Sequence, residues 1–230
     1  MPGWTSAATS DRPVVARTSV RAAKPITLVK VALWVAAILP FAALVRGFFR
    51  NDLTANPGDY LTDQTGTWML ACLMASLAVT PIRRLTGWNE IIKVRRMLGL
   101  FAFFYAVIHV FMWSWADMDF DLGLMGREII KHKYILIGML TFVMLIPLAL
   151  TSTKGWIKRM GGKRWNRLHQ LIYVAAVTGT IHYLWAVKKD TFFPLVYLVV
   201  FIALLGYRAV RAAQSRSARL ATRSAKRVAA

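Results

Sequence analysis

Histidines are the residues of this sequence whose type and spacing suggest chemistry. His169 and His182 lie in one apolar run, "NRLHQLIYVAAVTGTIHYLW", and His109 lies in another, "FFYAVIHVFMW". An imidazole inside an apolar segment needs a hydrogen-bond partner or a metal ion. His132, in "REIIKHKYIL", is flanked by charged residues, and we expect it to be an interfacial residue and not a ligand.

The spacing of these histidines predicts two sites at different depths. His169 precedes His182 by 13 residues, which is about 20 Å along a helix, so the two rings cannot share a metal ion. His109 and His182 both come late in their apolar segments, which places them at a similar depth. Two imidazoles from different helices are the usual axial ligands of a non-covalently bound haem iron. On one ideal helix His169 and His182 would point about 140° apart, so the two rings share one face only if this helix is distorted, for example near Gly179.

The second predicted site, at the depth of His169, has only one histidine. We call it the inner position. Arg95, in "KVRRMLGL", lies 14 residues before His109 and returns to nearly the same helix face. A guanidinium is a poor iron ligand but suits a haem propionate or a flavin phosphate. His169 and Arg95 are therefore assigned to an inner cofactor position, as a second haem site or a flavin site. Membrane histidines can also simply hydrogen-bond a neighbouring helix, and that interpretation stays open.

The composition indicates an integral membrane protein. Hydrophobic residues make up 57% of the 230 residues, and the mean hydropathy is +0.47. The net charge of +20 does not indicate nucleic-acid binding, because the basic residues lie between apolar segments and form no single face. The single cysteine, Cys72, excludes an intramolecular disulfide, a thiolate-ligated cluster and a covalent haem attachment of the c type.

Six apolar segments are long enough to cross a bilayer, and they predict an all-α, six-span helical bundle. The N-terminal tail covers 1–26, the transmembrane haem-binding domain covers 27–209, and a basic tail, 210–230, is expected to be disordered or bound at the membrane surface. The six spans are predicted at 27–46, 66–82, 97–116, 134–152, 168–187 and 192–209.

The charge distribution predicts that both termini are cytoplasmic. With that orientation 23 of the 30 basic residues lie inside, and eight of the ten acidic residues lie outside. This asymmetry is the one that the positive-inside rule describes. The basic inner loop and tail are then expected to contact anionic membrane lipid.

Four segments resemble the MsrQ/YedZ family, the haem-binding membrane subunits of bacterial periplasmic methionine sulfoxide reductase systems. They are "NPGDYLTDQTGTWML", "LAVTPIRRLTG", "VRRMLGLFAFFYAVIHV" and "KRWNRLHQLIYVAAVTGTIHYLW", and they extend from residue 56 to about residue 187. The wider ferric-reductase-like transmembrane group pairs two histidines 14 residues apart with two that are 13 apart. Here His169 and His182 match the second pair, whereas Arg95 replaces one member of the first, as it does in MsrQ.

The resemblance implies a multi-pass protein of the bacterial inner membrane that carries haem b and FMN. Such a protein receives electrons from a cytoplasmic flavin reductase or from quinol. It passes them to a periplasmic molybdopterin-dependent catalytic subunit, which reduces methionine sulfoxide in oxidised proteins. The chain would then be an electron-transfer subunit, with no catalytic residues of its own for sulfoxide reduction.

Two other functions are compatible with the residues. A ferric reductase would use the same outer haem to reduce extracellular metal. A non-redox transporter or membrane anchor would use the histidines as proton relays or as helix contacts, but neither broken helices nor buried carboxylates indicate a transporter.

Overall fold

A computed structural model describes residues 25–187 and 191–228 of the chain. The described residues form α-helices with one short 3-10 turn and no strand, which confirms the predicted all-α class. The helices are α1 (Pro25–Phe49), α2 (Pro57–Thr86), α3 (Ile92–Ala116), α4 (Leu122–Lys131), α5 (Lys133–Leu150), α6 (Lys154–Met160), α7 (Gly162–His169), α8 (Leu171–Ala186) and α9 (Phe192–Val228).

Five helices of the described chain are long and apolar enough to cross a membrane, namely α1, α2, α3, α5 and α9. The fifth predicted span corresponds to α8, which has 16 residues and is about 24 Å long at the standard helical rise. The predicted six-span bundle is consistent with this set of five long helices and one shorter helix.

Local sequence signals explain why α2 extends beyond the predicted span of 66–82. Asn56 caps its first turn by accepting a hydrogen bond from the Asp59 amide, and Pro57 occupies the first turn, where its missing N–H costs nothing. The helix ends at Gly87, whose φ of 70° is the left-handed conformation that glycine adopts without strain. The polar segment 57–65 is therefore helical and continues the span.

Two helix pairs form the centre of the bundle. α2 packs along α3, and α5 packs along α8, and these two contacts are the most extensive in the described chain. The core between the elements is formed by buried apolar side chains of α2, α3, α8 and α9, among them Leu73, Ala102, Tyr105, Ala176 and Phe201.

α1 and α9 attach to this centre by polar contacts as well as by packing. The buried Tyr105 hydroxyl donates a 2.7 Å hydrogen bond to the Ala37 carbonyl of α1. On α9, the Arg208 guanidinium donates to the Tyr173 hydroxyl and to the Leu77 carbonyl, both at 2.7 Å. Each contact fixes an outer helix against α2, α3 or α8.

The structure differs from the sequence-based expectations in three places. The segment after α3 forms the short helix α4, which Asp121 caps. The fifth span begins at Leu171, because the chain turns at Gln170 and His169 ends the separate helix α7. The distortion considered near Gly179 is absent, since α8 is continuous there, and the helix break lies at Gln170. The C-terminal tail continues α9 as helix to Val228, which contradicts the first of its two expected states, disorder; binding at the membrane surface stays a prediction.

Candidate functional site

His109 on α3 faces α2, where a carbonyl and a glycine receive its ring. Its Nδ1 lies 2.8 Å from the carbonyl oxygen of Thr62. One helical turn later, Gly66 leaves room for the imidazole, since a Cβ there would lie 3.0 Å from the ring atoms Cε1 and Nδ1. The missing side chain of Gly66 thus permits the close approach of the ring to the α2 backbone.

His182 on α8 meets α5 in the same way. Its Nδ1 lies 2.7 Å from the Tyr134 carbonyl oxygen, and Gly138 follows Tyr134 by four residues. A Cβ on Gly138 would lie 2.7 Å from Cε1 and Nδ1 of His182, which is closer than side chains tolerate. The Tyr134 ring stacks on the imidazole, with centroids 6.2 Å apart. The two helix pairs therefore present their histidines by an equivalent carbonyl-and-glycine arrangement.

The carbonyl contacts determine the tautomers of both rings. A carbonyl oxygen only accepts hydrogen bonds, so Nδ1 of His109 and Nδ1 of His182 must each carry the proton. In a neutral imidazole the other nitrogen, Nε2, then keeps its lone pair. Histidines that bind metals are commonly oriented by this type of Nδ1–H contact.

The structure brings His109 and His182 together. Their ring centroids lie 6.1 Å apart, and the ring planes are inclined by 80°. A metal–imidazole bond is about 2 Å long, so one metal ion held between two Nε2 atoms separates the ring centroids by about 6 Å. The pair thus has the spacing needed to bind one metal ion from opposite sides.

His169 is held differently, at the junction of α5 and α7. Its Nε2 lies 3.1 Å from the Thr151 hydroxyl, and its ring stacks on Trp165 at 3.9 Å between centroids. The Thr151 hydroxyl donates its own proton to the Pro147 carbonyl at 2.6 Å, so it accepts from His169. Nε2 of His169 therefore carries the proton, which is the opposite tautomer to that of the other two rings.

Positive charge collects near His169. Burial and, after it, the positive charge of Arg95 lower the pKa of His169. The backbone of Arg95 is fixed by the Ser76 hydroxyl of α2, which donates to its carbonyl at 3.1 Å. The Nε of Arg208 is buried and has no hydrogen-bond partner among the described residues. This end of the bundle can accept an anionic group.

His132 lies apart from both positions. Its Nε2 is 3.1 Å from a Glu128 carboxylate oxygen, at the short connection between α4 and α5, and its side chain is 38% exposed. The expected interfacial position of His132 agrees with this contact.

Residues 65–180 match the family described as ferric reductase like transmembrane component. A relative from Herminiimonas arsenicoxydans is 46% identical over 84% of this chain and 89% of its own length. It is named protein-methionine-sulfoxide reductase heme-binding subunit MsrQ. The chain belongs to the MsrQ family.

Two further MsrQ relatives show the same extent of similarity. Those of Ralstonia nicotianae and Rhodospirillum rubrum are each 44% identical, over 80% and 81% of this chain and 86% and 90% of their own lengths. No solved structure matches the chain significantly. The match to the broader ferric-reductase-like family includes Arg95, His109 and His169 and ends two residues before His182.

Sequence reasoning found the histidines of this MsrQ family member but not the groups that orient them. Thr62 and Tyr134 contribute only a carbonyl oxygen, which any residue type provides, so no sequence signal marks them. The glycines in "TGTWML" and "ILIGML" were the available signal, because a lone glycine in an apolar span often marks a close helix contact. Thr151, the acceptor for His169, was also missed.

Proposed function

We propose that this chain is a haem b-binding, membrane-embedded electron-transfer subunit of a methionine sulfoxide reductase system. The names of its MsrQ relatives support haem binding and the link to that system. The observation that carries the proposal is the pairing of His109 with His182, with both Nδ1–H groups held by backbone carbonyls. Non-covalent binding is required, since a single cysteine cannot form a c-type attachment.

His109 and His182 are the proposed axial ligands of the outer haem. Each offers an Nε2 lone pair, and the ring separation of 6.1 Å suits one iron between them. A haem held by these two residues would supply one-electron redox chemistry. The carbonyls of Thr62 and Tyr134 keep the rings from rotating, and they increase the basicity of the ligands.

His169, Arg95 and Arg208 are the proposed inner cofactor position. The cofactor is a second haem or FMN, and its propionate or phosphate groups would find the guanidinium groups of Arg95 and Arg208. The His169 tautomer in this structure leaves Nδ1, not Nε2, with a lone pair, so iron binding through Nε2 requires release of the Thr151 hydroxyl. FMN binding rests on the family resemblance.

The two positions lie at opposite ends of the bundle, which suits electron transfer across a membrane. With both termini in the cytoplasm, the inner position faces a cytoplasmic flavin reductase or the quinol pool as donor. The outer haem faces a periplasmic molybdopterin-dependent catalytic subunit as acceptor. Fusing a fluorescent protein or alkaline phosphatase to the C-terminus tests this orientation. An active phosphatase fusion would place the C-terminus in the periplasm and contradict the proposed orientation.

The haem assignment is tested by visible spectra of the detergent-purified protein, before and after dithionite. We expect the reduced protein to show a b-type α band. H109A and H182A should each lose the part of this band that comes from the outer haem. The matched control is H132A, which removes an imidazole outside both positions and should keep the spectrum. Full retention of the band in H109A or H182A would refute the ligand assignment.

Ferric reduction is the second candidate, because the matching family is described as ferric reductase like. The two functions share the haem site and differ in the electron acceptor. For the proposed role, we expect a purified molybdoenzyme with methionine sulfoxide to reoxidise the reduced protein. Chelated ferric iron should not reoxidise it. The reverse preference would favour ferric reduction.

A further inference from the structure

A groove lies between α1 and α3, and no histidine lines it. It encloses about 440 Å³ and is lined by basic residues at one end and apolar residues along its length. Lys30, Lys93 and Arg96 form the basic end. We call it the inner groove, because the charge distribution places this end on the cytoplasmic side.

The lining of the inner groove changes from charged to apolar along the length of the groove. α1 and α3 both start at the same side, since α2 returns the chain between them. Lys30 on α1 is followed one turn later by Trp34. On α3 the wall passes from Lys93 to Leu100 and Phe104, which is about 16 Å at the standard helical rise. A charged end is thus followed by an apolar channel that runs towards the centre of the bilayer.

The apolar wall of the groove faces lipid, not water. The Trp34 side chain is 52% exposed and packs edge-on against Phe101, with centroids 6.2 Å apart. Leu100 is 37% exposed on the same wall. Because both belong to membrane-spanning helices, their exposed faces contact hydrocarbon. The groove is therefore open sideways to the bilayer.

The basic end carries more positive charge than its neighbours neutralise. Lys93 forms an ion pair with Glu90. Lys30 and Arg96 form no ion pair with a carboxylate in the part of the chain that the structure describes. Among the described residues, three cations and one carboxylate leave this end with a net positive charge, which favours an anion.

We propose that the inner groove binds an anionic phospholipid of the cytoplasmic leaflet. The phosphate contacts Arg96 and Lys30, since a guanidinium matches phosphate oxygens in a bidentate manner and an ammonium adds a point charge. One acyl chain lies along Trp34, Leu100 and Phe104. Basic pockets between transmembrane helices on the cytoplasmic side are suited to such headgroups. The proposal does not depend on haem binding by the histidines.

Native mass spectrometry of the purified full chain with added phosphatidylglycerol or phosphatidylcholine tests this site. We expect the unmodified protein to retain phosphatidylglycerol at least about tenfold better, and K30Q/R96Q to lose that preference. The matched control is R127Q/K131Q, which removes two positive charges from the opposite side and should keep it. No preference in the unmodified protein, or an unchanged preference in K30Q/R96Q, overturns the proposal.

Brominated acyl chains locate the lipid tail independently. We expect phosphatidylglycerol with brominated chains to quench a fluorescence component that W34F lacks, and brominated phosphatidylcholine to quench it less. Equal quenching by the two lipids contradicts a specific site. Displacement of phosphatidylglycerol by FMN in the unmodified protein, but not by inorganic phosphate, would assign the groove to a flavin nucleotide and overturn the lipid proposal.

Discussion

Gly138 and His182 are in direct contact across the α5–α8 interface, and a methyl group on the glycine would lie 2.7 Å from the imidazole atoms Cε1 and Nδ1. The ring cannot move aside without losing its hydrogen bond to the Tyr134 carbonyl. The same relationship holds for Gly66 and His109, where the distance to the ring is 3.0 Å. The glycines thus determine how close each ligand ring lies to the neighbouring backbone.

Substitution of Gly138 by alanine is expected to weaken haem binding. Overpacking of this kind costs about 1–3 kcal/mol, which corresponds to roughly a fivefold to 150-fold loss of affinity. Haem content per protein, measured by the reduced α band, checks the effect. G66A should have a smaller effect than G138A, because its clash is milder.

The control for these variants is G206A. Gly206 lies in the membrane-spanning part of α9, and a Cβ there would meet no atom within 4 Å. We expect G206A to retain its haem. Equal haem loss in G206A and G138A would show that any alanine in these helices disturbs the bundle, and that the glycine-to-ring contact has no special role.

The Tyr105 hydroxyl is expected to stabilise the bundle by joining α3 to α1. The side chain is fully buried, and its hydroxyl donates to Ala37 O at 2.7 Å. We expect Y105F to lower the free energy of unfolding by about 1 kcal/mol and Y105A by about 3–5 kcal/mol. Thermal unfolding in detergent measures both. An Y105F midpoint equal to that of the unmodified protein would contradict the role of the hydroxyl.

Asp121 is expected to make the stability of α4 depend on pH. Hydrogen bonds from the Leu124 and Gly123 amides lower the pKa of the Asp121 carboxyl. Because the pKa is lower in the folded state, this stabilisation is present above the unfolded pKa of about 3.9 and is lost as the pH falls through the folded value.

Amide exchange of residues 123–131 measures this dependence, with D121N as the control that keeps the oxygen acceptor but does not titrate. The protection of the unmodified protein relative to D121N should fall as the pH drops below the unfolded value of about 3.9 and through the lower folded value. If the ratio of amide protection between the unmodified protein and D121N stays constant as the pH falls, the charge of Asp121 does not stabilise the helix cap.

The spans and the shared level of His109 and His182 could be predicted because they depend on local hydropathy and helical rise. His109 and His182 needed only those two quantities to be placed at the same level. Their orientation could not be predicted in this way. It depends on the Thr62 and Tyr134 carbonyls, which belong to other helices and are 47 and 48 residues away in the chain.

The helix break after His169 and the helix α4 were missed for a related reason. Gln170 carries no glycine or proline signal, and the chain turns there while α7 docks on α5 through Trp165 and Thr151. α4 is a short surface helix whose start depends on one capping side chain, that of Asp121. Short elements of this kind depend on individual capping and docking contacts, which hydropathy averaged along the sequence does not reveal.

His169 is expected to bind the inner cofactor, although in this structure its Nε2 donates to the Thr151 hydroxyl. H169A should therefore lose the inner cofactor and keep the spectrum of the outer haem, since His169 ends α7, just before α8 begins, and His182 lies near the other end of α8. T151V removes the hydroxyl and keeps the side-chain shape. It should cost about 1 kcal/mol of stability and leave inner cofactor occupancy at least as high, because Nε2 is then free to bind. Cofactor analysis of both variants, with thermal unfolding, separates the two roles of His169. If T151V and H169A lose the inner cofactor equally, His169 acts by docking α7 on α5 and not by ligation.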